Sequence, residues 1–195
     1  MARRRFTLLR HAQSTSNARN ILNGDPAVPV RLTPQGRQQA EDAHRALAHM
    51  EFDLAVHTRF PRTAETLDIV LGDRSTPRAV YPEFDDLNVG DFEGGPVADY
   101  REWRSNHDPN ENPPGGESRI AALLRYVAGY ERLLACDASE VLAVLHDVPI
   151  RFLVNAAHDT DPLAGPHRSV GNADPMMFGE DDVRRAVTRM RRRAF

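Results

Sequence analysis

Apolar positions follow two rhythms along this chain, and their alternation predicts the architecture. Residues 6–10 and 141–145 are short, mainly apolar runs that read as buried strands, with 53–57 a further strand and 79–81 a short one. Helical patterns lie between them. Thr33-Pro34 combines a capping hydroxyl with proline at the first helical position, so a helix runs from there to about residue 49. A second spans 61–71 and stops at Gly72, and others cover 97–107, 117–135 and 148–157. Near the carboxy terminus Val183, Ala186, Val187 and Met190 form one stripe. Glu180, Asp181 and Asp182 open that segment and arginines close it, a charge order that suits the helix macrodipole. The stretches 13–20, 23–26 and 82–96 are polar or turn-rich, and 110–116 is a proline and glycine break. Strands alternating with helices predict an α/β fold, a three-layer α/β/α sandwich with a mostly parallel central sheet, in a single domain covering 1–195.

Composition narrows the chemistry. All 25 basic residues of the 195 are arginine, against 28 carboxylates, for a formal charge of −3. Without lysine there is no Schiff-base amine and no Walker A or kinase-type phosphate grip. The single cysteine, Cys136, excludes an intrachain disulfide, a CxxC redox pair and a cysteine-rich zinc site, and reads as a core or helix-end thiol. The longest clean apolar runs, 120–124 and 141–145, are five residues each, far short of a membrane span. The amino terminus, Met1-Ala2-Arg3-Arg4-Arg5, enters a strand without a leader-like apolar stretch, so a soluble cytoplasmic protein is expected. Charge is uneven: +5 over residues 1–50, −9 over 51–118 and +1 over 119–195. The arginine clusters 3–5 and 191–193 sit at the chain ends and do not build a basic domain. Neither nucleic acid nor a membrane is therefore expected as a partner, and the oligomeric state is left open.

In a parallel α/β fold, ligands gather at the carboxyl ends of strands. Three such ends carry arginine or histidine: Arg10-His11, the segment 58–62 with Arg59 and Arg62, and His146-Asp147. His44, His49, His57, His107, His158 and His167 show no metal-ligand spacing such as HExxH, so no metal or other cofactor is expected.

The motifs around these residues resemble the histidine phosphatase superfamily, also called the phosphoglycerate-mutase-like family. Its first strand ends in Arg-His-Gly followed by Glu or Gln, Thr or Ser, and Asn; the run here is Leu9-Arg10-His11-Ala12-Gln13-Ser14-Thr15-Ser16-Asn17. Its Leu-Thr-x-x-Gly-x-x-Gln-Ala helix start appears as Leu32-Thr33-Pro34-Gln35-Gly36-Arg37-Gln38-Gln39-Ala40. Its second arginine, in an Arg-Ala-x-Gln-Thr setting, corresponds to Arg62-Thr63-Ala64-Glu65-Thr66. The family acid lies four residues before a Gly-x-x-Glu-Gly, and Asp86 stands four before Gly90-Asp91-Phe92-Glu93-Gly94. Gly115-Gly116-Glu117-Ser118 matches Gly-Gly-Glu-Ser, and Val144-Leu145-His146 brings the second histidine to a strand end. The six motifs keep the family order from residue 6 to about 156.

The resemblance implies a phosphoglycerate-mutase-like fold and a metal-independent, acid-type phosphatase acting on a phosphorylated small molecule. His11 is the implied nucleophile, forming a phosphohistidine. Arg10 and Arg62 are the phosphate clamp, because a planar guanidinium meets phosphate oxygens bidentately. Arg59 is the alternative to Arg62. His146 is a third donor and catalytic partner, and Asn17 a fourth contact or a helix cap. Asp86 gives the leaving alkoxide its proton and then accepts one from water, with Glu83 and Asp85 near enough to exchange roles. Ala12 and Asp147 depart from the family glycines; a carboxylate at 147 either raises the pKa of His146 or repels phosphate. Residues 94–116 and 157–179 are expected to wall the pocket, with Tyr100 and Trp103 either lining it or packing a helix face, and Ser118 capping the long helix.

Three rival readings compete with this one. A mutase uses the same phosphohistidine but has to exclude water, and mutases of this family are typically longer, whereas only 49 residues follow His146. A metal-dependent HD-type phosphohydrolase is suggested by His146-Asp147 and His158-Asp159, yet those enzymes are helical and His146 follows a strand. A non-catalytic phosphate-binding module would not need the complete catalytic set.

Overall fold

Capping and periodicity account for most of the boundaries found in a computed structural model of the chain, which describes residues 4–164 and 170–195. Arg3 of the amino-terminal arginine cluster, most of the irregular segment 165–172, and His167 lie outside the described residues. Strand β1 is Arg5–Arg10. Helix α2 (Pro34–Ala46) begins as its sequence dictates, with Thr33 Oγ1 accepting the Gly36 N–H at 2.9 Å and proline in the first turn. It ends three residues short of the expected 49. Strand β2 (Leu54–His57), helix α3 (Pro61–Leu71) and strand β3 (Arg78–Val80) follow, then α4 (Val97–Ser105). Helix α5 (Arg119–Ala135) starts two residues later than expected because Ser118 is its cap, accepting the Ala121 N–H at 3.0 Å. Strand β4 (Glu140–Leu145), helix α6 (Asp147–Ala157) and helix α7 (Glu180–Arg193) complete the expected set.

Two elements lacked a periodic signal. Helix α1 (Thr15–Arg19) buries none of its five residues and rests on a capping box, in which Ser14 and Asn17 exchange side-chain and backbone bonds. Strand β5 (Met176–Gly179) is a half-buried edge strand, so the end of the segment 157–179, expected as pocket wall, belongs to the sheet instead.

The sheet has five strands in the order β3-β2-β4-β1-β5, parallel throughout except for β5, which runs antiparallel to β1. Alternate residues serve opposite faces. Phe6, Leu8, Val141, Ala143 and Leu145 join the core with α5, α6 and α7, whereas Leu9, Ala55, Leu142 and Val144 join the core with α2 and α3. The chain therefore leaves β1 toward one layer and β4 toward the other. In an open α/β sheet, the crevice where neighbouring connections diverge is where ligands bind. No described helix is long and apolar enough to cross a membrane.

Arginine also finishes helices. The Arg4 guanidinium donates to the carbonyls of Leu133, Leu134 and Cys136 at the end of α5, and to that of Ala138 beyond it. Arg74 does the same for Leu47, Met50, Val70 and Leu71, at the ends of α2 and α3.

Gly90 has φ +59°, and a Cβ there would lie 2.0 Å from the Pro114 carbonyl oxygen. Gly90→Ala is expected to lower the free energy of urea unfolding by about 2 kcal/mol or more, from left-handed backbone strain and that contact together. An unchanged urea midpoint would contradict this.

Candidate active site

The crevice between β1 and β4 collects the polar residues at the strand ends. His11 follows β1 directly, and its N–H is held by the Leu145 carbonyl at 2.9 Å. Its ring Nδ1 lies 2.8 Å from the Ala12 carbonyl oxygen. A carbonyl can only accept, so Nδ1 carries the hydrogen and Nε2 keeps its lone pair. Arg62 Nε donates to that lone pair at 3.0 Å. Burial, then the charges of Arg62 and His146, push His11 well below the ordinary histidine range. The ring is therefore neutral at neutral pH. Ala12 is fully buried and is absent from the positive-φ residues, so alanine fits where the family has glycine.

Arg62 stands in the first turn of α3 and is 3% exposed. It lies over the Phe60 ring at 4.3 Å from the centroid. One terminal nitrogen meets Asn23 Oδ1; the other donates to the Asn23 carbonyl and to Asp86 Oδ2, both at 3.0 Å, and comes within 3.3 Å of His146 Nδ1. His146, the residue before α6, has Nε2 at 2.9 Å from Thr58 Oγ1 and its ring edge against Phe60 and His11. Burial, followed by Arg62, Arg125 and Arg10, lowers its pKa well below the ordinary value. Asp147 is not among the charges that move the His146 pKa; its carboxylate lines the cavity and pairs with Arg151 at 3.0 Å, one turn along the helix.

Neighbouring side chains point in different directions here. Asp86 Oδ2 faces Arg62 and lies 3.4 Å from His146 Nδ1. Asp85 is buried and turned to Arg59, accepting that residue's backbone N–H at 3.0 Å and its side chain. Glu83 pairs with Arg132 at 3.1 Å. Arg59 is thus committed to Asp85. Arg10 donates one terminal N–H to the Val170 carbonyl at 2.9 Å, and its buried Nε has no partner among the described residues. Asn17 uses its side-chain oxygen in the α1 capping box while also facing the crevice cavity.

That cavity has a volume of about 370 Å³. Arg10, Asn17, Asn23, Arg62 and Asp86 line it, and α4 and α6 supply the opposite wall. His11 and His146, 2% and 0% exposed, lie beneath this lining. Tyr100 lines the cavity, whereas Trp103 packs against Phe92 and stacks on His107.

Several residues that position the site had no periodic or spacing signal. Asn23, which holds Arg62, is held in turn by Glu93, whose two carboxylate oxygens accept from Asn23 Nδ2 at 2.9 Å and the Gly24 N–H at 2.6 Å. Asn172 donates to the His11 carbonyl at 2.7 Å. Arg125, on α5, donates to the carbonyls of Glu83, Asp85 and Asp86 and pairs with Glu117, so it grips the loop that carries Asp86. The Gly-x-x-Glu-Gly and Gly-Gly-Glu-Ser motifs were the visible traces of Glu93 and Glu117. Among the described residues no cluster of three or more histidine, cysteine, aspartate or glutamate side chains is placed to hold a metal. Asp147 and Asp159 of the two His-Asp pairs bind Arg151 and Arg189 instead.

The model of the histidine phosphatase superfamily, branch 1, matches residues 6–192. The chain belongs to that superfamily. It is 33% identical to the adenosylcobalamin/alpha-ribazole phosphatase of Escherichia coli over 158 residues, covering 72% of this chain and 76% of the relative. It is 28% identical to the 2,3-bisphosphoglycerate-dependent phosphoglycerate mutase of Cytophaga hutchinsonii, covering 89% and 86%. The solved alpha-ribazole phosphatase of Shigella flexneri superposes with a TM-score of 0.78 at 25% identity, over 89% of both chains. Superfamily membership, with its α/β sheet, also sets aside the HD-type reading.

The two buried histidines of this histidine phosphatase domain make its stability depend on pH. Unfolding returns them to about 6.5, above their folded values, so the unfolded chain binds more protons as pH falls. Stability present above pH 6.5 is then lost below it. Urea midpoints are expected to drop between pH 7 and pH 5, and the double variant His11→Asn/His146→Gln to flatten that drop. A flat wild-type profile would count against neutral burial of these rings.

Proposed function

We propose that this protein is a phosphomonoesterase that passes a phosphoryl group from its substrate to His11 and then to water. The carrying observation is the Arg62 guanidinium, which touches the His11 lone-pair nitrogen on one side and Asp86 on the other. An entering phosphate takes over the Arg62 contact and lies against Nε2, with Arg10 as second fork and Asn17 on the wall. His11 Nε2 then attacks phosphorus as the P–O ester bond breaks, and Asp86, protonated for this step, gives its proton to the leaving alkoxide. In the second half the Asp86 carboxylate takes a proton from water, whose oxygen attacks phosphorus and frees His11. His146 donates one hydrogen bond to the phosphoryl oxygens. The clamp supplies charge stabilisation, and positioning does most of the rest.

Hydrolysis is favoured over mutase chemistry by the 33% identity to a phosphatase. Chain length separates the two less than expected, since the mutase relative is covered over 86% of its own length.

Inorganic phosphate release from an alkyl phosphate is expected to vanish in His11→Ala, together with acid-quenched label on the protein. Intermolecular phosphoryl transfer without free phosphate would establish the mutase instead. Asp86→Asn is expected to lose about 10²–10⁴-fold with an alkyl phosphate. With p-nitrophenyl phosphate, whose leaving group needs no proton, it is expected to give a burst and an accumulating phosphoenzyme. Arg125→Met is expected to shift activity in the same leaving-group-dependent way by a smaller factor; equal losses on both substrates would reduce Arg125 to a purely structural role.

A further inference from the structure

His146 is wholly buried, so each of its ring nitrogens has to be answered by a protein group. Nε2 faces Thr58 Oγ1 at 2.9 Å, whereas Nδ1 faces the crevice, 3.3 Å from Arg62 Nη2 and 3.4 Å from Asp86 Oδ2. A hydroxyl can donate or accept, so the Thr58 contact alone leaves the tautomer open. The surrounding bonds close it. Arg62 Nη2 carries two hydrogens, and two oxygens take them at 3.0 Å, the Asn23 carbonyl and Asp86 Oδ2. Its longer approach to Nδ1 is therefore the weaker claim, while the carboxylate oxygen beside Nδ1 can only accept. Nδ1 then bears the hydrogen, and Nε2 needs a donor. Thr58 has a hydrogen to give. Thr63, in the first turn of α3, directs its own hydroxyl hydrogen to the Phe60 carbonyl at 2.8 Å, and its oxygen accepts the Thr58 N–H at 3.2 Å. The Phe60 N–H points at Thr58 Oγ1 at 3.4 Å. Thr58 Oγ1 thus accepts on one side and keeps its hydrogen for the Thr63 oxygen at 3.0 Å or for His146 Nε2 at 2.9 Å. Only the second choice leaves His146 satisfied, and Thr58, Phe60 and Thr63 are all buried from solvent.

We propose that Thr58 is a positioning residue for His146: its hydroxyl donates to Nε2 and so holds the neutral ring with Nδ1–H turned to the crevice, as a donor to the phosphoryl oxygens. The role toward phosphate rests on the phosphomonoesterase reading, and the tautomer rests on the hydrogen-bond pattern alone. The hydrogen bond at one imidazole nitrogen decides what the other presents. The opposite tautomer would turn a lone pair toward phosphate oxygens and repel them. The two buried rings are thereby set in opposite senses. The Ala12 carbonyl holds the hydrogen of His11 away from the crevice and leaves a lone pair there, while the Thr58 hydroxyl does the reverse at His146.

The tautomer is read from two-bond proton–nitrogen NMR correlations of the full chain labelled with nitrogen-15 histidine at neutral pH. The His146 signals are assigned by their loss in His146→Gln. Wild type is expected to show a pyrrole-type Nδ1 and a pyridine-type Nε2. In Thr58→Val, which keeps the shape but neither donates nor accepts, the two nitrogens are expected to move toward a common averaged shift. Its kcat for phosphate release from an alkyl phosphate is expected to fall about tenfold, with KM within about twofold of wild type. Thr58→Ser is expected to restore both the spectrum and kcat. A wild-type His146 protonated on Nε2 overturns the proposal, whether or not the valine variant folds. So does Thr58→Val with wild-type kcat, or Thr58→Ser as slow as Thr58→Val. No phosphate release by the wild type overturns the phosphomonoesterase reading and the role toward phosphate with it, separately from the tautomer that the spectrum reports.

Discussion

A guanidinium that is 3% exposed needs a partner for nearly every N–H, and meeting that demand organises this candidate site. Arg62 draws in His11 from the end of β1, Asn23 from a turn, Asp86 from the loop before α4 and His146 from the end of β4. Phe60 supplies a ring beneath its plane. Four chain segments far apart in sequence are thereby fixed around one planar group. A lysine could not replace it, since a single ammonium lacks the fork that reaches all four.

The same cation sets the state of His11. An imidazole buried beside positive charge is held neutral, and the Ala12 carbonyl fixes which nitrogen bears the hydrogen. The lone pair is thus on the nitrogen that meets Arg62, where a phosphate carried on that guanidinium would lie. A positively charged donor and a neutral imidazole lone pair thus come from one arrangement.

Elsewhere arginine is used for its geometry in ways that net charge conceals. Arg4 and Arg74 each gather several carbonyls at helix ends, and Arg125 gathers three from the loop around Asp86. The charge of −3 therefore says little about the site. Most of the carboxylates of the acidic middle lie away from the cavity between β1 and β4, whose lining is locally cationic.

The strands, the main helices and the strand ends that bring Arg10, His11, the 58–62 segment and His146 to the crevice were legible in the sequence. Apolar periodicity and caps such as Thr33 and Ser118 act over a few residues, and strand ends locate ligands in this class of sheet. Helix α1 and strand β5 were not legible, because neither buries enough apolar surface to leave a pattern. Nor was it legible which of Asp86, Asp85 and Glu83, or of Arg62 and Arg59, faces the crevice, or that Asp147 turns to Arg151. Neighbouring side chains point in different directions, and which one faces the crevice depends on partners such as Arg125 and Asn23, 39 residues from Asp86 and from Arg62 respectively. Local sequence fixes which groups are available at a strand end. Only the packing of distant segments decides which of them converge, because each donor of a buried charge left unpaired is costly.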